Sequence, residues 1–214
     1  VTDGFAFLLD LDWEQAVRRF MMVLRDSPKD GWAALGYACA LEVSGDSNGA
    51  IQQLRTLKDN PKISNLVEAE LAYTHLQRQE YDLAEKAIST PVEKLDATRL
   101  LMLIAIKVET NRLEDVRSLL STIKPSELEQ FHFVAGALTH ISVGGYTQEI
   151  LRIVEGMDER PKLSNRFRHL LAGLYAATGD LESARREFEA VRNDRHYMTQ
   201  AESALEHLSK TNTR

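Results

Sequence analysis

Thiols, imidazoles and carboxylates are the side chains that could carry chemistry in this chain. The one cysteine, Cys39, sits in Ala38-Cys39-Ala40. A reactive thiol needs an activating base beside it, and the sequence assigns none, so Cys39 reads as a packed helix residue. Six histidines occur: His75, His132, His140, His169, His196 and His207. His132 and His140 are eight residues apart, about two helical turns, and so nearly share one face. Zinc pairs on a helix are commonly four apart and need further ligands. The histidines therefore read as surface or groove residues, and neither a metal site nor a cofactor is assigned. Glu68, Glu70 and the pair Asp158-Glu159 read as solvated helix surface. Gly144-Gly145 is not followed by Gly-Lys-Ser/Thr, so it reads as an inter-helix turn and not a phosphate loop. No His-Glu-x-x-His occurs. No catalytic residue is assigned, and the chain is expected not to be an enzyme.

The bulk numbers narrow the class further. Of 214 residues, 43% are hydrophobic, enough for one continuous core. There are 26 basic and 32 acidic residues, a net charge of -6. That balance argues against a general nucleic-acid binder, which needs a basic footprint. Arg160, Lys162, Arg166 and Arg168 form a loose basic cluster, read as a solvated face. A single cysteine rules out an internal disulfide and suits a reducing compartment, so the cytoplasm is slightly favoured; a bridge-free periplasmic domain fits as well. No run of 18 apolar residues exists to insert into a membrane. The first residues lack the basic and apolar regions of a signal peptide.

The positions that repeat tell most. Ala16, Ala50, Ala84 and Ala184 are 34, 34 and 100 residues apart, a ladder of about 34. Similar phrases lead into each, such as Tyr81-Asp82-Leu83-Ala84 and Gly179-Asp180-Leu181-Glu182-Ser183-Ala184. Pro28, Pro61, Pro91, Pro125 and Pro161 form a second ladder, spaced 33, 30, 34 and 36. Proline ends helices because it lacks the amide donor and clashes with the preceding turn. A helical pattern with this period marks a solenoid of stacked helix pairs.

On these residues the chain resembles the tetratricopeptide repeat family, whose unit is two antiparallel helices, A and B. Small residues sit where the two helices cross and large ones fill the surrounding holes. The last repeat fits best, through Leu171, Ala172, Tyr175, Gly179, Ala184, Phe188 and Val191. The third follows with Leu71, Ala72, Tyr81, Ala84 and Ile88, departing at His75. Tyr37, Ala38, Leu41, Gly45, Ala50, Leu54 and Leu57 carry the second. Gly4, Phe7, Trp13, Ala16, Phe20 and Val23 carry a first repeat that begins part-way, so a piece of a longer protein is expected. In the fourth, Ile104 and Val116 replace the small residues, which predicts a widened helix pair and local irregularity mid-array. The resemblance implies an all-α, right-handed superhelical solenoid in one domain. Its repeats are expected at 1–28, 31–61, 64–94, 96–125, 126–161 and 164–196, with a capping helix at 197–209 and a frayed end from Lys210. Asn65 with Glu68, and Ser126 with Glu129, resemble capping boxes that would start helices.

In this family the A helices line a concave groove. The positions where some members carry a lysine and asparagine clamp for C-terminal carboxylates hold Leu35, Ala69, Leu101 and His169, and Phe5, Cys39, Tyr73, Ala105 and Gly173. That clamp is absent. Trp32, Leu35, Leu66, Tyr73, Leu76, Leu101 and Val108 instead predict an apolar inner face. Three occupants stay open: an apolar peptide or amphipathic helix of a protein partner, neighbouring repeats under tight curvature, or a second copy of the chain. The resemblance thus implies a non-enzymatic interaction scaffold or adaptor. Its alternatives are a chaperone or assembly factor for a secreted or membrane-associated partner, and the accessory domain of a larger bacterial regulator or enzyme. An RNA-reading pentatricopeptide array is opposed by the acidic charge and the small/aromatic pattern.

Overall fold

The computed structural model describes residues 2–9, 12–157 and 163–211, without the side chains of Lys210 and Thr211. Val1, Asp10, Leu11, Asp158, Glu159, Arg160, Pro161, Lys162 and residues 212–214 lie outside the described residues. Among those described there is no strand. Six antiparallel helix pairs follow in order: α1 (Thr2–Leu9) with α2 (Trp13–Asp26), α3 (Gly31–Val43) with α4 (Ser47–Leu57), α5 (Ser64–Gln77) with α6 (Tyr81–Ala87), α7 (Ala97–Glu109) with α8 (Val116–Thr122), α9 (His132–Ile141) with α10 (Thr147–Gly156), and α11 (Asn165–Thr178) with α12 (Leu181–Val191). A last helix, α13 (Met198–Thr211), packs on α12. It buries Ala201 and Leu208 while leaving Met198 exposed.

The repeated alanines explain the pairing. Ala16, Ala50, Ala84 and Ala184 are all wholly buried, where a larger side chain would force the two helices apart. The first crossing shows the complementary half of the rule. Phe20 is also wholly buried, and its ring fills the space a Cβ would need at both Gly4 and Gly36. Aspartates start four of the helices. Asp30, Asp46, Asp96 and Asp180 each accept a hydrogen bond from the backbone N–H three residues on, at 2.9 to 3.0 Å. Each thereby satisfies a donor that the first turn leaves unpaired.

Both expected capping boxes are corrected. Asn65 lies inside α5 and donates from Nδ2 to Asp96 of the next repeat, 3.1 Å away. Ser126 lies in a short 3₁₀ turn, Pro125–Glu127, and α9 begins only at His132. The irregularity expected mid-array takes definite form. Helix α8 has only seven residues, and Asp115 before it adopts a left-handed φ of 63°. A π-type turn, Ser142–Tyr146, joins α9 to α10, with the chain reversing at Gly145 (φ 101°).

The array also curls back on itself. The ring of Phe5 in α1 meets that of Phe131, just before α9, with centroids 5.6 Å apart. Arg195, beyond α12, forms an ion pair with Asp12 between α1 and α2. Helix α9 is thereby set against the inner face of the earlier repeats, packing on both α5 and α7.

Candidate functional site: the inner face

Helix α9 decides what the inner face can bind. Its first residue, His132, approaches Glu42 of α3 and Glu70 of α5. The edge of its ring meets that of Tyr73 at 5.9 Å. One turn on, Gly136 sits directly under the Tyr73 hydroxyl, where any Cβ would collide. His140 bonds Gln77 and Glu109 at 2.9 and 2.6 Å. The chain has laid one of its own helices in the slot formed by α3, α5 and α7.

The seven predicted inner-face residues divide accordingly. Leu35, Leu66, Tyr73, Leu76 and Leu101 are buried. Trp32 is 38% exposed, and Val108 is half-buried against Gly144. Of the three occupants left open by the sequence, packing within the chain accounts for most of this surface.

Polar residues that read as surface are corrected too. Glu68 and Glu70 are buried, Glu70 completely, and His132 is only 2% exposed. The two glutamates are satisfied differently. Glu68 accepts bonds from Arg99 at 3.0 Å and from Ser89, a buried ion pair joining repeats three and four. Glu70 has no hydrogen bond to either carboxylate oxygen, and His132 has none at Nε2. That nitrogen stands 3.3 Å from Glu70 Oε1 and 3.3 Å from Glu42 Oε2. The distances suit Coulomb attraction but the angles do not make bonds. The Cys39 sulfur completes the group: it, a Glu70 oxygen and a His132 nitrogen lie within 4.8 Å of one another. Burial alone would lower the imidazole, but the Glu70 and Glu42 carboxylates outweigh it and hold His132 up at about 9. Burial raises the Glu70 carboxyl against the pull of His132. Burial, with Glu70 and Glu42 beside it, pushes the Cys39 thiol well up.

Beyond the reach of α9's first turns the inner face opens. A groove of about 550 Å³ runs between α9 and α11, with Ala135, Thr139, Val143, Arg166, Gly173 and Ala177 among its walls. Val143 is 83% exposed. At its far end His169 stacks on Tyr197, centroids 4.8 Å apart. Of the expected solvated basic face, two members are described. Arg168 is bound to Glu187 at 3.1 Å, Arg166 lines the groove, and Arg160 and Lys162 lie outside the described residues. No helix of the described residues is long and apolar enough to cross a membrane.

No protein-family model matches this chain, and no curated protein matches it. Among solved structures it resembles a chain in the crystal structure of the APC/C hetero-tetramer Cut9-Hcn1, with a TM-score of 0.52 and 15% identity. The match covers 96% of this chain and 41% of that one, so this chain spans less than half the length of its structural neighbour. The likeness is one of fold: an all-helical, tetratricopeptide-like repeat solenoid.

Proposed function

We propose that the chain is a non-enzymatic protein-interaction scaffold, and that a partner peptide or helix lies in the groove between α9 and α11. One contrast carries this reading. The A-helix surface of repeats two to four is filled by α9, whereas α11 of repeat six and the last turn of α9, from Thr139, border open space. At Gly173 a Cβ would meet nothing within 4 Å, which leaves room for close approach of a second backbone. Helix-in-groove docking uses such a strip, with apolar anchors at helical spacing. Arg166 has no ion-pair partner among the described residues, which favours a partner segment carrying a carboxylate beside its apolar anchor. Membership of the structural neighbour in a hetero-tetramer is in keeping with this role.

The test is photo-crosslinking from a reactive amino acid placed at Ala177, compared with one at Met21, which is 54% exposed on α2. A partner captured from Ala177 alone, and lost on Val143→Glu, supports the groove. Val143 is exposed enough for that change to leave the fold intact. Capture from Met21 alone refutes it. Tyr73 and Leu101 are poor probes, because a charge introduced at either would be buried.

A further inference from the structure

We infer that Cys39, Glu70 and His132 form a buried site for one divalent transition-metal ion of the zinc type, at the junction of α3, α5 and α9. The donors are a thiol, a carboxylate and an imidazole, the set that zinc-like ions take from proteins. They are 31 and 62 residues apart in sequence, so only the curl of the solenoid brings them within 4.8 Å of one another.

The unmade hydrogen bonds point to an ion. A buried carboxylate with no donor is costly, and Glu70 has none on either oxygen. His132 Nε2 lies 3.3 Å from Glu70 Oε1 and makes no hydrogen bond. Two ligands bound tetrahedrally to one zinc, each at about 2.0–2.1 Å, are themselves about 3.3–3.4 Å apart. An approach that is close but misaligned for a hydrogen bond is what co-ligands show, since their lone pairs converge on a third point. Charge permits the exchange. Glu42 Oε2 is also 3.3 Å from that nitrogen, so two carboxylates face a single imidazole. A divalent ion would take the place of the imidazolium as their counter-charge, with the Cys39 thiol and any imidazolium giving up their protons to solvent on binding; the cluster carries one net negative charge either way.

The surroundings hold the imidazole in place beside a cavity. The rings of Tyr73 and Phe133 meet that of His132 edge-on, with centroids at 5.9 and 5.4 Å, and so fix its orientation. A cavity of about 340 Å³, bounded by Phe5, Leu8, Trp32 and Phe131, has His132 in its wall. Glu42, three residues from Cys39 and on the same helix face, brings Oε2 within 3.3 Å of His132 Nε2. An ion held here would staple repeats two, three and five.

Cobalt(II) is the probe. The full chain, stripped with a chelator, is titrated and followed by absorbance. The expected result is one equivalent bound, with a thiolate-to-cobalt charge-transfer band in the near ultraviolet that Cys39→Ser abolishes. His132→Gln is expected to weaken binding at least about a hundredfold. Zinc at a hundred times its Kd should raise Tm by roughly 5–10 °C, an increase absent in both variants. The wild-type spectrum alone decides the matter if a variant fails to fold. No binding by stripped protein that keeps its helical circular dichroism overturns the proposal, leaving the cluster as an internal ion-pair network. Binding without the thiolate band also overturns it, because the ion then sits on surface histidines.

Discussion

Phe20 and Gly36 set a sterically fixed contact at the first repeat junction. The ring is wholly buried and occupies the space a Cβ at position 36 would need. Gly36→Ala should gain about 1 kcal/mol of helix propensity and lose about 1–3 kcal/mol to overpacking. The net result is a lower urea midpoint. Gly173 is the opposite case: it too lies within a helix, but a Cβ there meets nothing. Gly173→Ala should therefore raise stability by about 0.5–1 kcal/mol, and it should weaken partner capture if the groove is the docking strip. A variant that is more stable and binds as before would remove Gly173 from the interface. His169 supplies a pH dependence. Burial lowers its pKa below the ordinary 6.5, so the folded chain binds fewer protons there than the unfolded chain does. Its contribution is complete above about pH 6.5 and is lost as the pH falls through the folded value. Because the ring stacks on Tyr197 at the start of α13, acidification should loosen that helix first. Wild type and His169→Gln should diverge in Tm between pH 7.5 and 5, with the variant the less pH-sensitive of the two.

At the scale of elements, the aspartate caps differ in what depends on them. The Asp46 side chain accepts only the Gly49 N–H among the bonds described for it, and Asp46→Ala should cost about 1 kcal/mol. Asp96 caps α7 through the Arg99 N–H and also accepts from Arg99 Nε and Asn65 Nδ2, each at 3.1 Å. Asp96→Ala should cost more, about 2–3 kcal/mol, because it releases a cap and two contacts, one of them between repeats. Equal losses in parallel denaturant melts would show that the cross-repeat contacts contribute nothing. These caps also mark how far the sequence could be read. The alanine and proline ladders are local, fixed by the crossing of two adjacent helices, and they locate the helix pairs. Asn65 and Ser126 misled because a polar residue three before a glutamate also arises within a helix turn or a 3₁₀ turn. Glu70 misled for a different reason: its burial depends on α9, which lies 62 residues further along. One signal was present. Helix α3 is apolar around nearly its whole circumference, from Gly31 to Leu41, and a helix apolar all round is covered on every side. That pattern says the inner face is covered, without naming the helix that covers it.

The whole molecule departs from the usual energetics of a solenoid. In a linear array each repeat touches only its neighbours, so stability is a sum of local terms and an end can fray alone. Here α9 contacts repeats two, three and four, while Phe131 reaches Phe5 in the first. These contacts couple segments distant in sequence, 90 residues apart for Glu42 and His132 and 126 for Phe5 and Phe131, and should make the chain melt as one unit. The two kinds of closure contact should differ in size. Arg195 is largely exposed where it pairs with Asp12, so Arg195→Ala should cost less than about 1 kcal/mol. Phe131 is buried and stacks on Phe133 with centroids 5.1 Å apart, so Phe131→Ala should cost about 3–5 kcal/mol. Amide hydrogen exchange separates coupling from simple local damage. If closure holds the first repeat in place, Phe131→Ala lowers protection in α1 and α3 as much as in α9. A linear array would lose protection only around α9 and its neighbours in sequence. Unchanged exchange in α1 would mean that the Phe5–Phe131 contact forms without stabilising the first repeat, and that α1 is held by α2 and α3 alone.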